Sequence, residues 1–516
     1  MFAPDRQWKI LAAGLCAIVC CVFTNTLANS FVWDDEQFVA TNAYLTSPNY
    51  LPKLVTQNIV AGAGLRSNLY RPVQSLTHFL DVRLWRYRPL GHHLTNILLH
   101  AAAMAALFAW LSTLVPLPAA FVAALLYAIH PLQSEAVAYV SGRGDTLALL
   151  WLFLGLVLYR RGSWWALLCA ALAVGSKESL VLFPIFLGLD HLARGERIAW
   201  RRVAPFVALS AVYVLARLTL LNFQNTLNFY GTSNILSEHP AYRLWTYLTT
   251  LPMGLRLWLW PSDLHHERAW SVYASFAILR VWLSALGIAA WIGLIAWTWR
   301  RARMAAAAMI WCLIATLPTS NLVAIINALF YDHWFLLPGV GLAWLAAQAP
   351  WFADSRRQKV AVCVGCAIAV ALAWQTWRYN AVWRTGKSLN AHLLHYAPEN
   401  PKLLNNYAMQ LTEDSELDES ARLYRRAIEI SDEYPQTHYN LARVELQRGR
   451  AADAAAEFKH ALAIDPRFYQ AHEALGMLAL QHGRWADAER EFRQALEIYP
   501  YAPEAQRGLA ELERRR

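Results

Sequence analysis

The strongest constraint on this chain is a series of apolar runs, most of them close to the length needed to cross a hydrocarbon core of roughly 30 Å. Eleven spans are expected, at 9–29, 92–114, 117–133, 146–160, 163–176, 179–193, 203–221, 272–298, 303–318, 334–350 and 359–378. The first follows Arg6 and Lys9, as in a signal peptide, but no small-x-small cleavage site ends it cleanly, so it is read as a membrane anchor. Only 16% of the residues are charged against 57% hydrophobic, which excludes a single water-soluble globule. The expected fold class is all-α, with a polytopic helical membrane domain over 1–378.

The net charge of +10 is unevenly placed. Residues 379–516 hold 18 Lys+Arg and 21 Asp+Glu, leaving 28 bases and 15 acids in the first 378. The bases cluster in short loops on one side: Arg160-Arg161; Arg194, Arg197, Arg201 and Arg202; Arg300, Arg301 and Arg303; Arg356, Arg357 and Lys359. Such loops are cytoplasmic, so the N-terminus is expected inside and, after an odd number of spans, the C-terminal tail outside. The stretch 243–260, with Trp245, Trp258 and Trp260, would reverse the next arginine cluster if it crossed. It is read as an interfacial or re-entrant helix. Much of the positive charge is thus spent on orientation, and nucleic acid is not expected as a partner. All seven cysteines lie in apolar runs and read as buried hydrophobes without a disulfide framework. The Cys363/Cys366 CxxC lacks the second pair or nearby His of a metal site. The Arg- and Ala-rich composition points to a bacterial source, hence an inner membrane.

The tail repeats every 34 residues. Tyr424, Phe458 and Phe492 share that spacing, as do Ala427, Ala461 and Ala495; Ala454 and Ala488 precede their aromatics by four, and Pro466 and Pro500 close two units. This is the tetratricopeptide (TPR) pattern of paired antiparallel helices. The expected organisation is a linker helix at 379–400, repeats at 401–434, 435–468 and 469–502, and a cap helix at 503–516. In the first repeat Ser420 and Asp432 replace the usual Ala and Pro. His438 and His472 read as residues of a solvated face.

In a membrane domain the ionisable residues carry the most information, because each is costly near hydrocarbon. Phe31-Val32-Trp33-Asp34-Asp35-Glu36 places three acids just beyond the first span. Charges this close push at least one carboxyl upward, as a general base requires. His93, Asn96 and His100 share one helix face, open to a ligand, a metal or interhelical hydrogen bonding. Further polar turns are Tyr70-Arg71-Pro72-Val73, His130 to Val137, Ser141-Gly142-Arg143-Gly144-Asp145, Ser176-Lys177-Glu178-Ser179, and a loop with Pro318, Asn321, Tyr331, Asp332 and His333. All lie on the expected outer side, whereas a transporter places such residues near mid-membrane.

These motifs, with the TPR array, resemble the transmembrane-and-TPR-containing O-mannosyltransferases and their bacterial relatives, of the GT-C superfamily of polytopic glycosyltransferases. The likeness spans nearly the whole chain and is nearest in the HP…EAVAYVSGRGD stretch; where the family has a glutamate–arginine pair this chain has Asp332-His333. The resemblance implies a GT-C-like membrane domain that moves a sugar, mannose in the family, from a polyprenyl-phosphate donor to an acceptor hydroxyl on the exoplasmic face, with inversion. It implies Asp34 or Asp35 as general base, and Arg71, Arg143 and Lys177 on the donor phosphate. Glu36, His93, His130, Glu135, Asp145 and Glu178 would orient sugar or acceptor. An oxygen-rich set including Asp34 and Asp145 would suit Mg²⁺ or Mn²⁺, and a required metal is not predicted. The interfacial tryptophans would bound a groove for the lipid tail, and the TPR array would present an acceptor protein or a partner. Two other readings are a membrane-anchored TPR scaffold with an inactive GT-C-like domain, and a transporter of a lipid-linked substrate.

Overall fold

The computed structural model describes residues 6–515 apart from 66, 224–235, 237–238, 267, 269, 324, 327 and 353. The chain divides into two compact units, Met1–Thr385 and Gly386–Arg516, and the described residues contain helices and no strand.

In the first unit a helix stands at each of the eleven expected positions. Five are long and apolar enough to cross a membrane: Arg6–Ala28, Pro89–Leu111, Val140–Arg160, Leu279–Trp299 and Arg356–Arg384. The others are shorter, among them Leu117–Ala128, Trp165–Ser176, Phe183–Ala193 and Leu336–Ala346. An 11-residue helix is only about 17 Å long. Proline sets several of these ends: Pro116, Pro184 and Pro318 stand at or beside them, where a missing backbone N–H costs least.

Small residues let the helices approach closely. Ala101 is buried on Pro89–Leu111, its carbonyl accepting from Cys16 Sγ of helix Arg6–Phe23 at 3.6 Å, and Trp8 stacks on Phe108 with ring centroids 5.5 Å apart. The core is aromatic. Trp110, Trp311 and Trp344 are fully buried, with centroids 5.1 Å apart for Trp110–Trp344 and 4.0 Å for Phe186–Trp311. Trp110 Nε1 donates to Asp190 at 3.0 Å, and Asp190 in turn pairs with Arg160 and Arg194, so this buried acid is compensated.

The stretch expected as interfacial is a 20-residue helix, Pro240–Leu259, with Pro252 inside it. Trp260 is exposed. Trp258, expected to bound a lipid groove, instead turns inward: it stacks on Tyr127 at 5.2 Å and donates from Nε1 to the Phe335 carbonyl at 2.7 Å.

The second unit begins with helix Gly386–Tyr396, followed by three antiparallel pairs, Pro401–Glu413 with Leu417–Ile430, Pro435–Gln447 with Ala451–Ile464, and Tyr469–Gln481 with Trp485–Ile498, and then Pro503–Arg515. Tyr424, Phe458 and Phe492 are buried at their centres. Gly476 is needed for this packing: a Cβ there would meet Phe492 Cε1 at 2.5 Å.

Candidate active site

The segment Tyr139–Asp145 organises the polar end of the first unit, its odd-numbered side chains reaching four different partners. Tyr139 leads to Asp34. Its hydroxyl accepts from the Asp34 amide at 3.2 Å and faces the Asp34 carboxylate, and burial beside Asp34 and Asp35 pushes its pKa upward. Ser141 leads to Asp35, donating from its amide (2.7 Å) and hydroxyl (2.6 Å) to Asp35 Oδ1. Arg143 donates to Asp81 (2.5 Å), the Asn96 side chain (2.6 Å) and the His92 carbonyl (3.1 Å). Asp145 pairs with Lys177. The two glycines between them permit this crowding: a Cβ on Gly142 would lie 2.4 Å from the Glu135 carbonyl, and one on Gly144 2.6 Å from Gln74 Oε1.

Around this segment the two expected catalytic acids separate. Asp35 is fully buried, and Oδ2, its second oxygen, accepts from the Val32 amide at 3.1 Å. Burial pushes its carboxyl up to about 7 even though these hydrogen bonds oppose the shift. With both oxygens engaged and no exposed surface, Asp35 ties residues 32–35 to Ser141. Asp34 is partly exposed beside it.

The expected phosphate ligands also separate. Arg71 is part-exposed and Lys177 is buried. Arg71 makes a two-oxygen contact with Glu178 (3.2 and 3.3 Å from Nε), and Asp145 adds its field to that of Glu178 at Arg71, so the four groups form one cluster. Gln74, in the first turn of the helix that Arg71 precedes, donates to the Ser141 carbonyl at 2.7 Å. Arg143 does not join the cluster. It has no exposed surface and pairs with Asp81 and Asn96. The face of His93, Asn96 and His100 is likewise interhelical: Asn96 donates to the Val137 and Tyr139 carbonyls, His100 Nε2 bonds the Ala128 carbonyl, and His93 is buried beside Asn29 and Ser30. His130 is buried against Trp258, with Nδ1 accepting from the Leu132 amide. Glu36 is exposed.

Glu135 occupies a centre of its own. His266 Nδ1 lies 2.7 Å from its Oε1 and His333 Nδ1 is closer still; burial would raise this carboxyl, but the two imidazoles hold it well below the usual range. Rings surround the group, with Trp33 5.4 Å, Tyr331 5.0 Å and Trp383 5.5 Å from His266. Glu135, His266 and His333 converge within 4.8 Å as metal ligands do, whereas Asp34 and Asp145 belong to no such group among the described residues. Two imidazoles and a carboxylate suit Zn²⁺ or Mn²⁺ better than Mg²⁺. Asp332 pairs with Arg268 (3.0 Å), so an acid–arginine pair is built from two loops. His266 and Arg268 were not anticipated; the signal was present in the run Asp263-Leu264-His265-His266-Glu267-Arg268, dense in ionisable residues for such an apolar chain. For Tyr139 and Trp383 there was no such signal.

The site lies at the Arg143 end of helix Arg143–Arg160, and the arginine turn Arg160-Arg161 lies at the other end, about 27 Å away along an 18-residue helix.

Comparison with known proteins agrees with the motif resemblance. The tetratricopeptide repeat family model matches residues 439–503 and 473–516. The chain is similar to a protein O-mannosyl-transferase of Caenorhabditis elegans (23% identical, 80% of this chain and 62% of that protein). It is similar also to protein O-mannosyl-transferase TMTC3 of Mus musculus (22%, 85% and 53%) and, over a shorter stretch, to TMTC4 of Homo sapiens (33%, 35% and 26%). The chain therefore spans between about a quarter and three fifths of the length of these curated relatives. Among solved structures, ArnT from Cupriavidus metallidurans bound to undecaprenyl phosphate is similar over 98% of this chain and 88% of its own, with 15% identity and a TM-score of 0.42.

Proposed function

We propose that this chain is an integral-membrane glycosyltransferase that moves a sugar, mannose by family likeness, from a polyprenyl-phosphate carrier to a hydroxyl of a protein acceptor on the exoplasmic face. The observation that carries the reading is the pairing, across Tyr139–Asp145, of a part-exposed carboxylate, Asp34, with a basic cluster in which Arg71 is part-exposed and Lys177 buried beside Asp145. Asp34 takes the proton of the acceptor hydroxyl as its oxygen attacks the anomeric carbon from the face opposite the phosphate, inverting that centre. General-base help of this kind is worth about 10²- to 10⁴-fold. The sugar–phosphate bond breaks with its electron pair going to the phosphate oxygen, where Arg71 and Lys177 meet the developing charge.

Before the donor arrives, Glu178 and Asp145 neutralise these two cations and hold them in place; the phosphate replaces the carboxylates as their partner. Glu135, His266 and His333 would hold a divalent cation at the aromatic end of the site, where it would add positive charge. The arginine turns orient the first unit with this site outside the cytoplasm, in a bacterial inner membrane, and the tetratricopeptide unit receives the acceptor protein.

The test is transfer of radiolabelled mannose from polyprenyl-phosphate mannose to envelope proteins, with the purified chain in nanodiscs. Asp34→Asn is expected to lose at least 100-fold in transfer while still binding the donor, and Arg71→Ala to lose donor binding. Undiminished transfer by Asp34→Asn would remove Asp34 as base, and donor binding by the wild type without transfer to any acceptor would favour the scaffold reading.

A further inference from the structure

At one buried position the first tetratricopeptide repeat differs in chemistry from the other two. In the first repeat it is held by Leu404, opposite Leu423. Thirty-four residues on, these become His438 and Glu457, and after another thirty-four His472 and Glu491. An imidazole and a carboxylate are costly replacements for two leucines, so each must be compensated. In the third repeat the compensation is simple: His472 Nδ1 meets Glu491 at 2.8 Å and Nε2 meets the Pro466 carbonyl at 3.2 Å. Gln494 follows three residues after Glu491.

The second repeat departs from this in two places. Asp432 stands where the third repeat has Pro466, and His460 where it has Gln494. His438 Nε2 now meets the Asp432 carboxylate at 2.5 Å, while Nδ1 faces Glu457 Oε2 at 2.7 Å. His460, one turn from Glu457 on helix Ala451–Ile464, brings its ring centroid to 5.5 Å from that of His438. Ligand atoms of His438, Glu457 and His460 all lie within 4.8 Å of one another.

We infer that the second repeat contains a binding site for a divalent transition metal of the zinc class. The ligands are His438, Glu457 and His460, two of them from adjacent turns of one helix and the third from the helix packed against it. Two imidazoles and one carboxylate are a donor set for Zn²⁺. Asp432 acts from behind: accepting from Nε2–H, it fixes the tautomer that leaves the Nδ1 lone pair toward the metal, as carboxylates do for metal-bound histidines. His438 is buried, and His460 is exposed and free to swing the short distance that closes the triad. Three protein ligands leave the fourth position of a tetrahedral ion open on the solvent side. The third repeat is an internal control, since it keeps the His–Glu pair without the second imidazole.

The test is titration of the untagged full-length chain in nanodiscs with Co²⁺, read by its visible d–d bands, and displacement by Zn²⁺. His460→Gln, a change at an exposed residue, is expected to bind one equivalent fewer than the wild type with an unchanged far-ultraviolet circular dichroism spectrum. Asp432→Asn is expected to weaken that equivalent by about 10- to 100-fold. Metal held by Glu135, His266 and His333 would be retained by both variants, so the difference reports the second repeat alone. Equal stoichiometry and affinity in His460→Gln and wild type, or no binding by either, would overturn the inference.

Discussion

Asp34 and Asp35 are chemically identical neighbours with opposite surroundings, and mutation should separate them. Asn at 35 keeps one oxygen for Ser141 but turns an NH₂ toward the Val32 amide, leaving two donors facing each other. Asp35→Asn should therefore lower the unfolding free energy by about 1–3 kcal/mol near pH 5, seen as an earlier thermal transition. The gap should narrow toward higher pH. The folded Asp35 carboxyl sits near 7 against an ordinary 3.8, so between those values the folded state holds more protons and wild-type stability falls as pH rises. The Asn variant lacks that slope. For Arg143→Ala the expected result is loss of folded protein, about 3–5 kcal/mol, because Asp81 is left buried and unpaired; Arg71→Ala, at a part-exposed pair, should fold and fail only in donor binding. Both outcomes are read by size-exclusion profile beside donor affinity. The sequence placed Arg71, Arg143 and Lys177 together as bases on the outer side. It did not say which was buried, since that depends on Asp81 and Asn96 arriving from other helices.

At the scale of the element, the turn inside each tetratricopeptide pair uses a left-handed residue, at Ser415 (φ 64°), Gly449 (φ 77°) and Gly483 (φ 70°), again 34 apart. Only the first is not glycine. A side chain in that region costs about 1–2 kcal/mol, part of which glycine returns through its freer unfolded state. Ser415→Gly should raise the stability of the second unit by up to about 1 kcal/mol, and Gly449→Ala should lower it by about 1–2 kcal/mol. Hydrogen exchange in helices Pro401–Glu413 and Pro435–Gln447 measures both. This periodicity was legible because each repeat packs mainly on its sequence neighbours, so local spacing carries the tertiary contact. The membrane helices were legible in position but not in length: six of the eleven have only 11–19 residues, and proline stands at or near an end of some of them, such as Pro116 and Pro184.

For the molecule as a whole, the distribution of arginine makes a prediction about sidedness. A cysteine at Arg197, in a basic turn, should react with a membrane-impermeant maleimide only after permeabilisation of spheroplasts. One at Glu497, exposed on the third repeat, should react in intact spheroplasts. Labelling of both from the same side would refute the proposed orientation. The same arrangement accounts for the separation of chemistry along helix Arg143–Arg160, which carries the site at one end and the orienting bases at the other.

By itself the sequence determined the all-α class, the positions of the apolar helices and the repeat array. These follow from periodicity and charge counted along the chain, where each residue's effect is local or additive. The tertiary structure alone decided which acid is accessible, that Arg143 is a buried partner of Asp81, and that Glu135 meets His266 and His333 from two distant loops. Burial and pairing depend on what the other helices bring to the same place, and no spacing within one segment records that.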